Sequence, residues 1–425
     1  MKLAHRIFRT ANGMEALLIK RPEEYTVGFS LLINAGSIYE SEKISGISHF
    51  YEHLFFTGTK KYSTEEILRR RMQEIGLNVG ARTWHDRIQI YGSFPKEETQ
   101  NSLLVLKEMA FESLLLPEMI QKERGIILDE ERLRQDNNYV KLWNIGYANR
   151  FKNGCSLQLP IEGRKETISA ITRAQLLRFY RMHCVPANAK FVVGSSISFS
   201  KLEELMGNIF GSLPKSKKIK MPFLTNSDMT NLSIATVNKQ NQQLYFLLSF
   251  PSYAGNDLYK AWQYGFVMEI LYEELNKVLR IERGLVYDLG ASGTRLTRNT
   301  AFSYVQSACD AENLEEILEA IFQKITSLRE GNIDMVMFER LRDTGNKTLP
   351  MSFDSLSGSI DWCENSFYQD GKIYSPEYVL KVRNKVTKED LQKAAKVLFD
   401  YKKLNIVVLG PLQKGLIDSV ASKYV

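Results

Sequence analysis

The chain has 425 residues, 44% of them hydrophobic and 25% charged, which is material for two or three cores and excludes a long disordered protein. Its net charge is +7, and the densest basic run, residues 215–220 (KSKKIK), has no nucleic-acid-binding motif beside it and reads as a solvated linker. Four cysteines without a CxxC pair exclude a disulfide framework, and no apolar run approaches the ~20 residues a membrane span needs.

The first residues, MKLAHRIFRTANG, lack the apolar core of an export signal, so a cytoplasmic protein with reduced, mostly buried thiols is expected. Residues 25–37 place Val27, Phe29, Leu31 and Ile33 on alternate positions, which predicts a strand with one buried face. A helix is expected over 47–57. A second follows over 63–75, with Ser63 as its N-cap and Thr64, Glu65 and Glu66 behind it. Residues 88–93 return as a strand. Residues 96–113 and 117–136 read as helices, the second opening on Pro117. On that second helix Ile126, Ile127, Leu128 and Leu133 are expected to anchor against a core. Helices and strands mix without strict βαβ alternation, which points to an α+β fold.

Residues 171–195 and 386–411 resemble one another. Each opens on a β-branched residue, Thr and a basic residue, then runs through a helix into an apolar strand near a Gly. Thr387 follows Thr172 by 215 residues, about half the chain, and the strand at 242–250 pairs less clearly with that at 25–37. Two structurally similar α+β domains in tandem follow from this: 1–213, a linker at 214–222, and 223–425.

Residues 49–53 read His-Phe-Tyr-Glu-His. On a helix His49 and His53 are one turn apart and project from one face, a spacing that seats two imidazole nitrogens on one tetrahedral zinc. Glu52 stands beside His53, where it can take a proton from water without itself binding the metal. A catalytic zinc needs a third protein ligand. Glu123, Asp129, Glu130 and Glu131 on the helix from Pro117 are candidates, as are His85 and His183, and spacing does not choose among them.

The stretch HFYEHLFFTGTKKYS at 49–63 resembles the HFxEHxxFxGT signature of the pitrilysin, insulinase and mitochondrial processing peptidase family. ERGIILDEE at 123–131 resembles that family's second motif, ERxVxxxE, in which the zinc-binding glutamate lies seven residues after the first. The resemblance therefore implies Zn2+ held by His49, His53 and Glu130, with Glu123 orienting a ligand and Glu52 as the catalytic carboxylate. RIERGLVY at 280–287 resembles a third pattern, and implies that Arg280 and Tyr287 contact substrate in the site of an opposing chain. Gly80-Ala81-Arg82-Thr83 stands where the family's substrate-side strand carries Asn-Ala followed by Thr, and Ile88 stands where a Thr is usual, so Gly80 removes a substrate contact. The resemblance further implies two domains with mostly antiparallel sheets flanked by helices, together half of a clamshell. It implies peptide-bond hydrolysis of short or unfolded peptides in a closed chamber completed by a second chain, identical or related. Neither nucleic acid nor a membrane span enters this picture. A non-catalytic subunit and a dedicated precursor-processing peptidase are the competing expectations.

Overall fold

The computed structural model describes residues 3–238, 243–411 and 415–424. The chain divides into two compact units that interleave along the sequence. Unit 1 takes residues 1–132, 159–222 and 349–375, and unit 2 takes 133–158, 223–348 and 376–425. The linear halves 1–213 and 223–425 differ from these units chiefly by two exchanged segments, each carrying one helix.

In unit 1 the strands are β1 (His5–Arg9), β2 (Glu15–Lys20), β3 (Thr26–Ile33), β4 (Asn78–Thr83), β5 (Ile88–Pro95) and β6 (Ala189–Ser195). They lie in the order β1-β2-β6-β3-β5-β4, with β2 and β6 parallel and every other pair antiparallel. Between β3 and β4 come α1 (Ile47–Leu54) and α2 (Glu65–Glu74). After β5 come α3 (Thr99–Phe111) and α4 (Pro117–Asp136). The next helix, α5 (Asn138–Arg150), belongs to unit 2, and α6 (Lys165–Ala170), α7 (Arg173–His183) and α8 (Phe199–Phe210) return to unit 1.

Unit 2 repeats this plan without a counterpart of β1. Its strands β7 (Ser233–Asn238), β8 (Leu244–Pro251), β9 (Leu289–Thr297), β10 (Thr300–Cys309) and β11 (Asn405–Gly410) lie in the order β7-β11-β8-β10-β9. Again one pair, β7 with β11, is parallel and the rest are antiparallel. Its helices are α9 (Leu258–Leu275), α10 (Leu314–Glu330), α11 (Met335–Thr348), α13 (Pro376–Arg383), α14 (Lys388–Leu398) and α15 (Leu416–Ser422). Unit 1 in turn receives α12 (Leu356–Asp370). The two stretches that resemble each other in sequence are α7-β6 and α14-β11, which occupy the same place in their sheets. Both helices open on a capping box, Thr172 with Gln175 and Thr387 with Asp390. The strand read at 242–250 is β8, the counterpart of β3; Gln242 itself lies outside the described residues.

Strand β3 was expected to bury one face, yet everything from Val27 to Ile33 is buried. Val27, Phe29, Leu31 and Ile33 join the core beneath α1, α3 and α7. Gly28 and Ser30 point to the opposite face, which α12 covers. Gly28 pairs with Gly194 of β6, and a Cβ on either would stand under 3 Å from Leu356 or Ile360. The pair makes a bare patch on which those two side chains lie, beside Leu17, Ile19, Val192, Cys363 and Phe367. In unit 2 the close approach is inverted. There the glycine is on the helix, Gly146 of α5, and a Cβ on it would meet Leu247 at 2.6 Å. Leu142 of that helix packs with Leu247, Val407 and Leu409. The buried Arg150 at its end donates to Ser249 O and Lys403 O, each at 2.7 Å.

Other expectations shift by small steps. The helix at 47–57 stops at Leu54, where the Thr57 hydroxyl donates to the Leu54 carbonyl at 3.0 Å. The cap of α2 is Thr64 and not Ser63, because the Thr64 side chain accepts from Ile67 N. On α4 Ile127 is buried, whereas Ile126 and Leu133 are 39% and 72% exposed, so the helix is anchored through Ile120, Glu123 and Ile127. The four cysteines are free, three of them buried.

Candidate metal centre

Helix α1 is short and divided by face. Ile47, Phe50, Tyr51 and Leu54 fall at i, i+3, i+4 and i+7 and are buried, which leaves His49, Glu52 and His53 together on the other side. The helix begins at Gly46, whose φ of 90° suits glycine, and a Cβ there would meet Glu162 O and Gly163 Cα at 2.7 Å. No side chain of the cap residue itself satisfies the first amides. Glu40 does so from outside: its carboxylate accepts from Gly46 N at 2.7 Å and Ser48 N at 2.9 Å. Glu40 is fully buried, and desolvation pushes its carboxyl up to about 7 against the pull of those hydrogen bonds.

Helix α4 brings Glu123 and Glu130, two turns apart, to the same two imidazoles. His53 Nδ1 lies 3.2 Å from Glu123 Oε2, and Glu123 is buried. That contact places the ring proton on Nδ1 and leaves the Nε2 lone pair for a cation. His53 Nε2 lies 3.5 Å from Glu130 Oε2, and His49 Nε2 lies 3.9 Å from the same oxygen. The two rings meet edge to face with centroids 4.9 Å apart. Among the described residues, His49, His53 and Glu130 form the one group of three or more His, Cys, Asp or Glu with ligand atoms all within 4.8 Å of one another. Ligands of a tetrahedral zinc with bonds of about 2.1 Å stand roughly 3.4 Å apart, so this donor set fits Zn2+ with small closing movements. Glu130 is the most open of the three, its side chain 44% exposed against 12% for His49 and 15% for His53. Burial works to lower the pKa of His53, but the Glu123 hydrogen bond and the charges of Glu130, Glu52 and Glu123 outweigh it and raise it. The surroundings are thus built to hold positive charge.

Glu52 is mostly buried, and that burial raises its carboxyl above the usual range, opposed by a hydrogen bond from Thr83 and the charge of His53. Thr83 Oγ1 donates to Glu52 Oε2 at 2.6 Å. Thr83 ends β4, the terminal strand of the sheet, which packs beside α1. Gly80 and Ala81 lie on the same strand. Ala81 packs on the core, while Gly80 faces the Tyr91 ring, which a Cβ would meet at 3.1 Å. Of the other candidate ligands, His85 and His183 are buried inside the fold. His85 Nδ1 is 2.8 Å from Ser37 Oγ, and burial pulls its pKa down to about 4. His183 Nδ1 donates to Asn34 O at 2.8 Å, and its ring stacks on Phe179.

A family model described as insulinase (peptidase family M16) matches residues 15–154, and one described as peptidase M16 inactive domain matches residues 170–344. The chain belongs to peptidase family M16. A relative from Rickettsia felis named as an uncharacterized zinc protease is 25% identical over 404 residues, covering 94% of this chain and 96% of its own. The fold matches that of the M16 inactive-domain protein from Pseudomonas fluorescens at a TM-score of 0.88 and 15% identity, across 97% of this chain and 99% of that one. It also matches the periplasmic protease PqqL from Escherichia coli at a TM-score of 0.83 and 17% identity, with all of this chain covering 50% of PqqL. Within this M16 chain the inactive-domain match falls on residues 170–344, whereas the histidine pair and Glu123 and Glu130 of α4 fall within the other match. No helix among the described residues is long and apolar enough to cross a membrane.

Arg280 and Tyr287 lie apart from the cluster in sequence and belong to unit 2. Arg280 is exposed on a π-helical segment, Asn276–Glu282, that continues α9, and Tyr287 follows it at 87% exposure. Two residues of the cluster were not singled out in sequence. Glu40 reaches its helix from six positions before the cap, beyond the reach of any capping pattern. Thr83 was read as part of a strand, and its bond to Glu52 spans 31 positions.

Proposed function

We propose that this chain is a zinc metallopeptidase that hydrolyses short or unfolded peptides. The observation that carries the reading is the meeting of both Nε2 atoms on Glu130 Oε2, with Glu52 one turn along the same helix face. His49, His53 and Glu130 would hold Zn2+, and Glu123 keeps His53 in the ligating tautomer. Zinc in that place supplies Lewis-acid polarisation of the scissile carbonyl. Glu52 takes the proton of the attacking water and passes it to the leaving amine. An extended peptide adds to the outer edge of β4 along Gly80 and Ala81, so main-chain hydrogen bonds set its register. Arg280 and Tyr287 serve the site of a second chain of the same family, identical or related, and the two chains close a chamber. The double-length PqqL supports a paired arrangement. Four free thiols fit a reducing compartment, the cytoplasm.

Metal analysis and hydrolysis of a quenched peptide on the same purified sample test the reading. One zinc per chain and zinc-dependent cleavage are expected, with Glu52→Gln keeping its zinc and losing cleavage. A chain that binds no zinc, or Glu52→Gln with full activity in a metal-clean preparation, overturns it.

A further inference from the structure

The Glu52 carboxylate lies on the face of α1 that also carries His49 and His53. A proton-transfer group in such a place needs a fixed orientation to be effective, because a misdirected carboxylate loses the alignment on which transfer depends. Among the described residues the hydrogen bond to this carboxylate comes from Thr83, at 2.6 Å to Oε2. It is short and charge-assisted, the stronger kind of hydrogen bond. Thr83 is itself fixed, paired with Ile88 of β5 at the end of the terminal strand.

We propose that Thr83 is the positioning residue of Glu52, committing one carboxylate oxygen to β4 so that the other is presented to water. This rests on the peptidase reading given above. It also ties chemistry to substrate seating, because the strand that presents Thr83 is the strand along whose edge the peptide is placed. A peptide added there stiffens β4 and so the hydroxyl that steadies Glu52. Thr83 touches neither zinc nor substrate in this assignment; it acts through Glu52.

Thr83→Val keeps the branched shape and removes the donor, while Thr83→Ser keeps the donor. Thr83→Val is expected to lower kcat about 10- to 100-fold, the range for a lost hydrogen bond to a charged group, with KM and zinc affinity unchanged. Thr83→Ser is expected to restore kcat to within about threefold of wild type, since the charge-assisted bond is kept. Thr83→Val with wild-type kcat overturns the proposal. So do Thr83→Val and Thr83→Ser that are equally slow, which would trace the loss to strand packing. If Thr83→Val does not fold, Thr83→Ala is read by the same criteria. Failure of the peptidase reading is distinct: it is a wild type that binds zinc and cleaves nothing. In that case crystals decide the positioning, with one Glu52 conformer expected in wild type and several in Thr83→Val. The same single conformer in both overturns it.

Discussion

The two units share one connectivity and differ in what stands between the central strand and the edge hairpin. In unit 1 that stretch holds α2 and the eight-residue α1, whose outward face is His49, Glu52 and His53. In unit 2 it holds the 18-residue α9, continued by seven π-helical residues. Trp262 and Phe266 of α9 lie against the Arg383 guanidinium, 4.4 and 4.3 Å from the ring centroids. Where one unit gathers candidate metal ligands, the other gathers packing. The sheets, the single parallel pair and the capped helix that precedes the inner strand are retained in both. The scaffold does not depend on the chemistry, and the chemistry depends on one short helix and its supports.

If that division holds, the largest effects come from the ligands. His53→Ala or Glu130→Gln removes one of three donors, and zinc content measured by mass spectrometry should fall to background along with cleavage, while circular dichroism still reports both sheets. Loss of the fold instead would mean that the metal is part of the scaffold. Next comes the support: Glu123→Ala should weaken zinc binding about 10- to 100-fold in a competitive titration, since it releases His53 Nδ1. The comparison sharpens with paired core truncations. Ile360→Ala on the second face of sheet 1 and Leu247→Ala on that of sheet 2 should each cost about 2–5 kcal/mol in denaturant unfolding. The second should leave zinc affinity untouched.

The smallest effect is a pH dependence. The Glu40 carboxyl is raised to about 7 in the folded state, above its unfolded value, so the folded chain holds a proton that the unfolded chain releases. Its contribution to stability is therefore greatest at low pH and declines as pH rises from about 4.3 toward 7, then levels off. Thermal melts of the metal-free chain should follow that decline, and Glu40→Gln should flatten it. A decline of the same slope in the variant would assign the effect to another group.

The helix with the histidine pair was legible because its candidate chemistry is periodic. Two imidazoles on one helix can reach one ion at a spacing of one turn, and the sequence displays that spacing. The start of α4 was legible too, from the proline that opens it. The choice of Glu130 over Asp129 or Glu131 was not legible from spacing. It came from the resemblance, and the structure brings that residue to the histidine pair through the rotation of α4. The second buried face of β3 escaped because Gly28 and Ser30 do not look like core residues. Gly28 is buried precisely for lacking a side chain, which is legible once Leu356 and Ile360 are known to lie on it. Nor does an amphipathic helix declare which sheet it will cover, so the exchange of α5 and α12 lay beyond any reading of periodicity. Glu40 and Thr83 escaped for a related reason: each meets its partner through tertiary geometry, with no local pattern to mark it.

The exchange of those two helices has a practical consequence. A gene for either repeat alone would encode a sheet with one greasy face left uncovered, and the segment that fits that face would be attached to its twin. Severing the chain at the 214–222 junction therefore should not release two autonomous modules. The fragments would instead complement one another in trans.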